Sequence, residues 1–243
     1  AIIQDFRIHD TDTGSTDGTL DILRARQDRL GVLVSEPDRG LYDALNKGLR
    51  LARGDVVGFL HSDDLFADAA VLSRVAAAFA DPAVCAVYGD LQYVRKGDTR
   101  RVVRHWKSAP FRARLLARGW MPPHPSLYVR REWYERIGGF DTRYRIAADY
   151  FSILQLFSQP GFKSVYLPQV LVKMRVGGAS NRSLANIVRK SREDLDALRR
   201  DRADAGARDQ LHGHARLGVD LLQVVDQLRQ ILDRVDVVVR RRA

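Results

Sequence analysis

Apolar residues in this chain come in short runs, each ended by a cluster of turn formers or acids. Val56, Val57, Phe59 and Leu60 follow a Gly-Asp turn and predict a buried strand of a largely parallel sheet. That strand stops on His61-Ser-Asp-Asp64. Residues 31–35 predict another short strand. Residues 4–12 hold a first one, although His9 and Asp10 stand where a buried parallel strand would carry Val or Ile. Two amphipathic helices lie between the strands. The first covers residues 20–29, with Leu20, Leu23 and Leu30 on its apolar side and Thr16 or Asp17 as its cap. The second turns Leu41, Ala44, Leu45, Gly48, Leu49 and Ala52 inward, with Tyr42, Asp43, Asn46 and Lys47 elsewhere. The order β–α–β–α–β, polar at each strand's exit, is in outline a nucleotide-binding arrangement.

The pattern continues downstream. A helix begins near Ala69 and runs through Leu72, Val75 and Phe79, and residues 83–90 form a strand continued at 92–94. Three prolines, Pro122, Pro123 and Pro125, hold a loop extended ahead of a short strand at 127–129. Residues 130–137 and 150–158 are helices, and 161–167 are the last strand before a Gly-rich exit at 174–180. From Asn181 the chain becomes charged and helical, so it divides into a domain at 1–180 and a helical extension at 181–243. Leu217, Leu221, Val224, Leu228, Ile231, Val235 and Val238 keep alternating four- and three-residue spacing, a heptad stripe that predicts a helical hairpin or a dimer contact.

Composition adds constraints. The 243 residues, 45% hydrophobic, suffice for one sizeable core with an appendage. No apolar run approaches the ~20 residues of a membrane helix. Cys85 is the single cysteine, which excludes an internal disulfide or a cysteine cage and predicts a reducing, cytoplasmic setting. The net charge of +10 predicts an anionic partner. Arg95, Lys96, Arg100, Arg101, Arg104, Lys107, Arg112, Arg114 and Arg118 concentrate that charge against Asp98 alone. Few aromatic residues accompany them, which disfavours nucleic acid.

Adjacent carboxylates repel, and a divalent cation relieves that cost while drawing other ligands from phosphate and water. Asp63 and Asp64 therefore suggest a metal–diphosphate site. The plainer alternative is that Asp63, Asp64 or Asp68 caps the following helix. Asp12 opens a run of turn formers and acts there as a turn residue. Asp149 falls at a helix start, where the dipole favours a carboxylate. His124 taken alone is more often a structural histidine than a ligand.

Eight stretches stand in one order: Asp12-Thr-Gly-Ser-Thr-Asp-Gly-Thr19, Glu36-Pro-Asp-Arg-Gly-Leu-Tyr-Asp-Ala-Leu-Asn-Lys-Gly48, Gly58-Phe-Leu-His-Ser-Asp-Asp64, Tyr88-Gly-Asp90, Pro123-His-Pro-Ser126, Gly138-Gly-Phe-Asp141, Ala147-Ala-Asp149 and Met174-Arg-Val-Gly-Gly-Ala-Ser180. Together they resemble the inverting nucleotide-sugar glycosyltransferases of family 2 with a GT-A fold, in particular the bacterial branch that builds surface polysaccharide. The resemblance implies an α/β fold whose Rossmann-like, mostly parallel sheet is flanked by helices, with the family's first strand missing ahead of Ala1. Thr13 stands where glycine is usual. By the same resemblance Asp12 contacts the donor's base or ribose, with Asn46 beside it. Asp63 and Asp64 hold Mn²⁺ or Mg²⁺ against the diphosphate, and Asp149 is the general base. Arg39, His124 and Arg175 join Asp12, Asn46 and Asp63 as donor-binding residues.

The implied partners are a nucleotide-sugar donor and a glycan or lipid-linked acceptor, with the basic 95–118 segment toward an anionic membrane at its inner face. Two other readings compete. One is a catalytically inactive scaffold of the same fold in a polysaccharide assembly complex; the other is a basic module that binds membrane or nucleic acid.

Overall fold

The computed structural model of the protein describes residues 8–12, 18–62, 64–176, 193–194 and 196–200. Thr16, Asp17, Asp63, residues 177–180 and the heptad stripe at 217–238 lie outside the described residues. Strands β1 (Ile8–Asp12) and β2 (Leu30–Ser35) pair in parallel, joined through helix α1 (Thr19–Arg24) and a 3-10 turn at Gln27–Arg29. Next come α2 (Leu41–Leu51), β3 (Val56–Gly58), β4 (Asp64–Phe66) and α3 (Val71–Ala78). The chain continues through β5 (Ala86–Arg95), β6 (Asp98–Trp106), β7 (Leu127–Arg130), α4 (Arg131–Ile137), α5 (Ala148–Phe157) and β8 (Ser164–Arg175).

The larger sheet runs β3-β7-β5-β8-β4, with β6 also paired to β5. The α/β class is as expected, but this sheet is mixed rather than mostly parallel. Only β5 and β8 pair in parallel; the other four pairings are antiparallel. The reason lies in the connections. Parallel neighbours need a long crossover, whereas Lys96-Gly97 leaves β6 no room except to return against β5. The basic segment, distinguished in the sequence only by its charge, thus contains a strand.

Strand β3 is shorter than its apolar run, because Phe59 and Leu60 leave the ladder after Gly58. Gly58 faces Tyr128 across the β3–β7 pair, and a Cβ there would come within 2.4 Å of the tyrosine ring. Phe59 joins an aromatic cluster with His124, Tyr134 and Phe140 instead. Helix α2 is also turned relative to its simple apolar stripe. Tyr42 and Ala44 are buried while Leu41 is 53% exposed. The buried face includes polar tips, Tyr42 and Asn46, which is tolerable because each finds a hydrogen-bond partner on the other side of the core.

Two apolar clusters share the sheet. One packs α2, α4 and α5 around Tyr88, Leu127, Phe140 and Leu154; the other lies under α3 around Val75, Val87 and Leu171. The described part of the C-terminal extension is helical and folds back on the first cluster, where Ala197 and Leu198 are buried. Glu193 Oε2 accepts the Ile146 and Ala147 backbone N–H groups at 2.8 and 3.1 Å, and the Tyr144 hydroxyl donates to Asp196 at 2.9 Å. Ala197 and Leu198 thus add to the core of the preceding domain.

Asn46 and Phe140 form a reciprocal clamp: the Asn46 amide donates to the Phe140 carbonyl and accepts from its N–H, both at 2.8 Å. Gly139, at φ +78°, brings the backbone so close that a Cβ would meet Asn46 Oδ1 at 2.6 Å. Gly138 has nearly the same φ, +77°, with nothing within 4 Å of an added Cβ. Gly138→Ala should therefore cost only the left-handed backbone penalty, roughly 1–2 kcal/mol. Gly139→Ala should exceed it by about 1–2 kcal/mol because the clamp must open as well. Urea unfolding of the two variants checks the order, and equal losses would remove the clamp from the account.

Candidate active site

Asp149 occupies the first turn of α5, half-buried, where its charge meets the positive end of the helix dipole. Its carboxylate is held from across the core. The Tyr42 hydroxyl lies 2.5 Å from the Ile146 carbonyl oxygen and 3.0 Å from Asp149 Oδ1, donating between them. The Tyr150 N–H also donates to Oδ1, at 2.8 Å. Burial, reinforced by the Asp149 charge, drives the Tyr42 hydroxyl well above its ordinary pKa, so it remains a proton donor to the carboxylate.

Around this pair stands a wall of rings. His124 stacks on Phe59 at 5.7 Å between centroids, meets Phe140 edge-on at 5.7 Å, and lies 6.1 Å from the His61 ring. Burial pushes the His124 imidazole down to about 4; Asp149 pulls the other way, and His61 adds to the lowering. Burial likewise lowers His61, again against Asp149. Both rings are therefore neutral at pH 7. Burial and then the Asp149 charge raise the Tyr134 hydroxyl. His124 Nε2 and the Tyr134 hydroxyl are buried without a hydrogen-bond partner, two polar atoms near an acid.

His61 connects this group to the acidic pair. The His61-Ser62 turn closes by a 2.8 Å hydrogen bond from the Asp64 N–H to the His61 carbonyl. Asp64 then starts β4, its side chain turned inward at 6% exposure, opposite Met174 of β8. Arg175 is the next residue on that strand, so Asp64 and Arg175 share one end of the sheet. Among the described residues no three His, Cys, Asp or Glu side chains gather into a metal cage. The donor set of two neighbouring carboxylates still suits a hard cation that takes most of its ligands from diphosphate and water.

The remaining expected donor residues divide. Asp12 ends β1 opposite Ser35. Arg39 is exposed on the loop before α2, which is fixed by Lys47 to the Pro37 carbonyl and by the Arg39 N–H to Asp43. Asn46 is half-buried, and its amide is engaged by the Phe140 backbone. Asp68, weighed as a helix cap, accepts the Ala70 N–H and pairs with Arg74 just ahead of α3. Sequence reasoning passed over Tyr42, His61, Tyr134 and Glu193. The signal for the first two was their place inside the quoted motifs; Tyr134 and Glu193 carry no local signal, because long-range packing alone brings them here.

The Glycosyl transferase family 2 profile matches residues 2–144. The chain belongs to that family. Relatives include a PGL/p-HBAD biosynthesis glycosyltransferase of Mycobacterium bovis, 35% identical over 182 residues, or 73% of this chain and 68% of the relative. A glycosyltransferase of Mycobacterium tuberculosis is 32% identical over 145 residues, 59% of this chain and 54% of its own length. Among solved structures, Pyrobaculum calidifontis mannosyltransferase PcManGT with GDP-Man and Mn²⁺ superposes with a TM-score of 0.51 at 24% identity, over 76% of this chain and 51% of that one. S. aureus TarS with UDP-GlcNAc gives 0.60 at 16% identity, over 79% of this chain and 57% of that one. The chain thus spans about half the length of these two structures, and the likeness to them is one of fold. The family 2 assignment makes the expected enzyme class, a glycosyltransferase, the established one.

His124 titrates from 6.5 when unfolded to about 4 when folded, so the unfolded chain binds the extra proton. Stability from this group is complete above pH 6.5 and is lost as pH falls toward 4, on the order of 3 kcal/mol in all. His124→Phe keeps a stacking ring and removes the titration. Thermal unfolding between pH 7 and 4 should fall less steeply in that variant than in the wild type.

Proposed function

We propose that this chain transfers a sugar from a nucleoside-diphosphate donor to a hydroxyl of a glycan or lipid-linked acceptor, with inversion at the anomeric carbon, in cell-surface polysaccharide biosynthesis. The observation that carries this reading is the Asp149 carboxylate, pinned through Oδ1 by Tyr42 and sharing an electrostatic environment with His61, two residues ahead of the Asp63-Asp64 pair. A base and a leaving-group site on neighbouring elements are what a single displacement requires.

Asp149 accepts the acceptor's hydroxyl proton as that oxygen bonds to the anomeric carbon. With Oδ1 occupied, Oδ2 is the oxygen assigned to this proton. The bond from the anomeric carbon to the diphosphate breaks, and its electron pair leaves with the phosphate oxygen. Tyr42 keeps the carboxylate oriented and stabilises its charge before the transfer. Neutral His124 and His61, with Phe59 and Phe140, exclude water from the base and add no competing cation. Arg175 and Arg39 offset charge on the departing diphosphate, and Asp12 meets the nucleoside. Asp63 and Asp64 would hold a divalent cation, which when bound neutralises the diphosphate. The mannosyltransferase neighbour with GDP-Man and Mn²⁺, and the TarS complex with UDP-GlcNAc, support this ligand class and name the first donors to try.

Thermal stabilisation by UDP-, GDP- and dTDP-sugars, with and without Mn²⁺, should reveal the donor, since a ligand that binds the folded state raises its melting temperature. Asp149→Asn should retain that stabilisation and lose transfer by about a thousandfold or more, and Tyr42→Phe should lower kcat by about ten- to a hundredfold with little change in donor KM. Near-normal turnover in Asp149→Asn would refute the base, and absence of any donor binding would favour the scaffold reading.

A further inference from the structure

The β5–β6 hairpin takes no part in the site described above, yet its surface is unusual. Between Arg95 and Lys107 it carries Arg95, Lys96, Arg100, Arg101, Arg104 and Lys107, against Asp98 alone. Asp98 is already paired with Arg100 at 3.2 Å. Every residue from Arg100 to His105 is exposed, including Val102 at 48% and Val103 at 57%. The pairing with β5 slips here, Arg104 standing opposite Tyr93 and Val102 opposite Val94, so Val103 is the extra residue of a bulge that breaks strict alternation and leaves both valines exposed together. Single exposed valines are ordinary, but two adjacent ones bracketed by three arginines are not a solvated charge run.

The base of the hairpin is built to hold it still. Asp90, 3% exposed, accepts the Ser108 N–H at 2.8 Å and the Tyr166 hydroxyl at 2.7 Å, and contacts His105 Nε2 at 3.2 Å. The Tyr88 hydroxyl donates to the Ala109 carbonyl at 2.8 Å. A buried carboxylate therefore fastens the returning strand to the sheet.

We propose that the outer strand of this hairpin docks on an anionic lipid bilayer, with the guanidinium groups on lipid phosphates and the two valines entering the interface between headgroups and acyl chains. The chemistry selects this occupant over others. Guanidinium matches phosphate in geometry and charge, and its stem lies easily along apolar surface. Single-stranded nucleic acid wants open ring faces, yet residues 100–105 hold no Phe, Tyr or Trp, and Arg104 covers the Tyr93 ring at 5.6 Å. A second copy adding to the β6 edge would set like charges against each other. No helix of the described residues is long and apolar enough to cross a membrane, so the contact is at the surface.

Flotation of the purified full chain tests this, using vesicles of pure phosphatidylcholine and of phosphatidylcholine mixed with phosphatidylglycerol. No donor is needed, so failure here leaves the sugar-transfer reading standing. The wild type should bind only the anionic vesicles. Arg100→Glu with Arg101→Glu, and separately Val102→Ser with Val103→Ser, should each weaken binding about tenfold or more at unchanged melting temperature. The control Arg50→Glu with Arg53→Glu, also exposed, should bind as the wild type does. Equal binding to both vesicle types would overturn the proposal. So would a valine variant that binds normally, a control that loses as much, or sedimentation showing a dimer that the valine variant dissolves.

Discussion

One hydrogen bond ties the two halves of this molecule's chemistry together: a tyrosine on α2 reaching an acid on α5, 107 residues later. A carboxylate at a helix start is common, but its direction is ordinarily set by water. Here a buried hydroxyl sets it, and burial ensures that the hydroxyl keeps its proton. The contact is possible only because α2 turns Tyr42 toward the core, at the cost of leaving Leu41 in solvent. The exchange is favourable because the tyrosine ring packs on Phe140, at 5.7 Å, while its polar tip is satisfied.

The same logic extends outward. Asn46, one helical turn along α2, grips the Phe140 backbone, and Phe140 in turn contacts Phe59, His124 and Tyr134. The aromatic wall and the carboxylate are therefore positioned by one helix acting at two points. Neutral histidines suit this wall, since a charged imidazole there would lack both water and a paired counter-ion.

Much of this architecture was legible in the chain. The start of α5 under Asp149, the end of α4 at Gly138-Gly139 and the strand through residues 127–129 follow from local signals: an acid at a helix start, paired glycines, an apolar triplet. Other parts were not. The inward face of α2 is chosen by distant partners for Tyr42 and Asn46, which no local apolar stripe reveals. The antiparallel pairings depend on which strand edges meet, and residue types along a strand do not encode that. Asn46 belongs to a quoted motif, and nothing in that motif reveals its bonds to the Phe140 backbone. Asp90, which looked like one more motif acid, is a buried anchor.

The backbone just ahead of α5, at Ile146 and Ala147, is held by Glu193, in a stretch whose composition suggests a tail. A helix whose entry is held by a remote segment inherits the fortunes of that segment. Trimming the chain before this point would remove the two Glu193 hydrogen bonds and two core residues, Ala197 and Leu198, from the cluster that packs α5. What reads as an appendage is thus mechanically geared to the residue at the heart of the site, and anything that pulls on it pulls on that carboxylate.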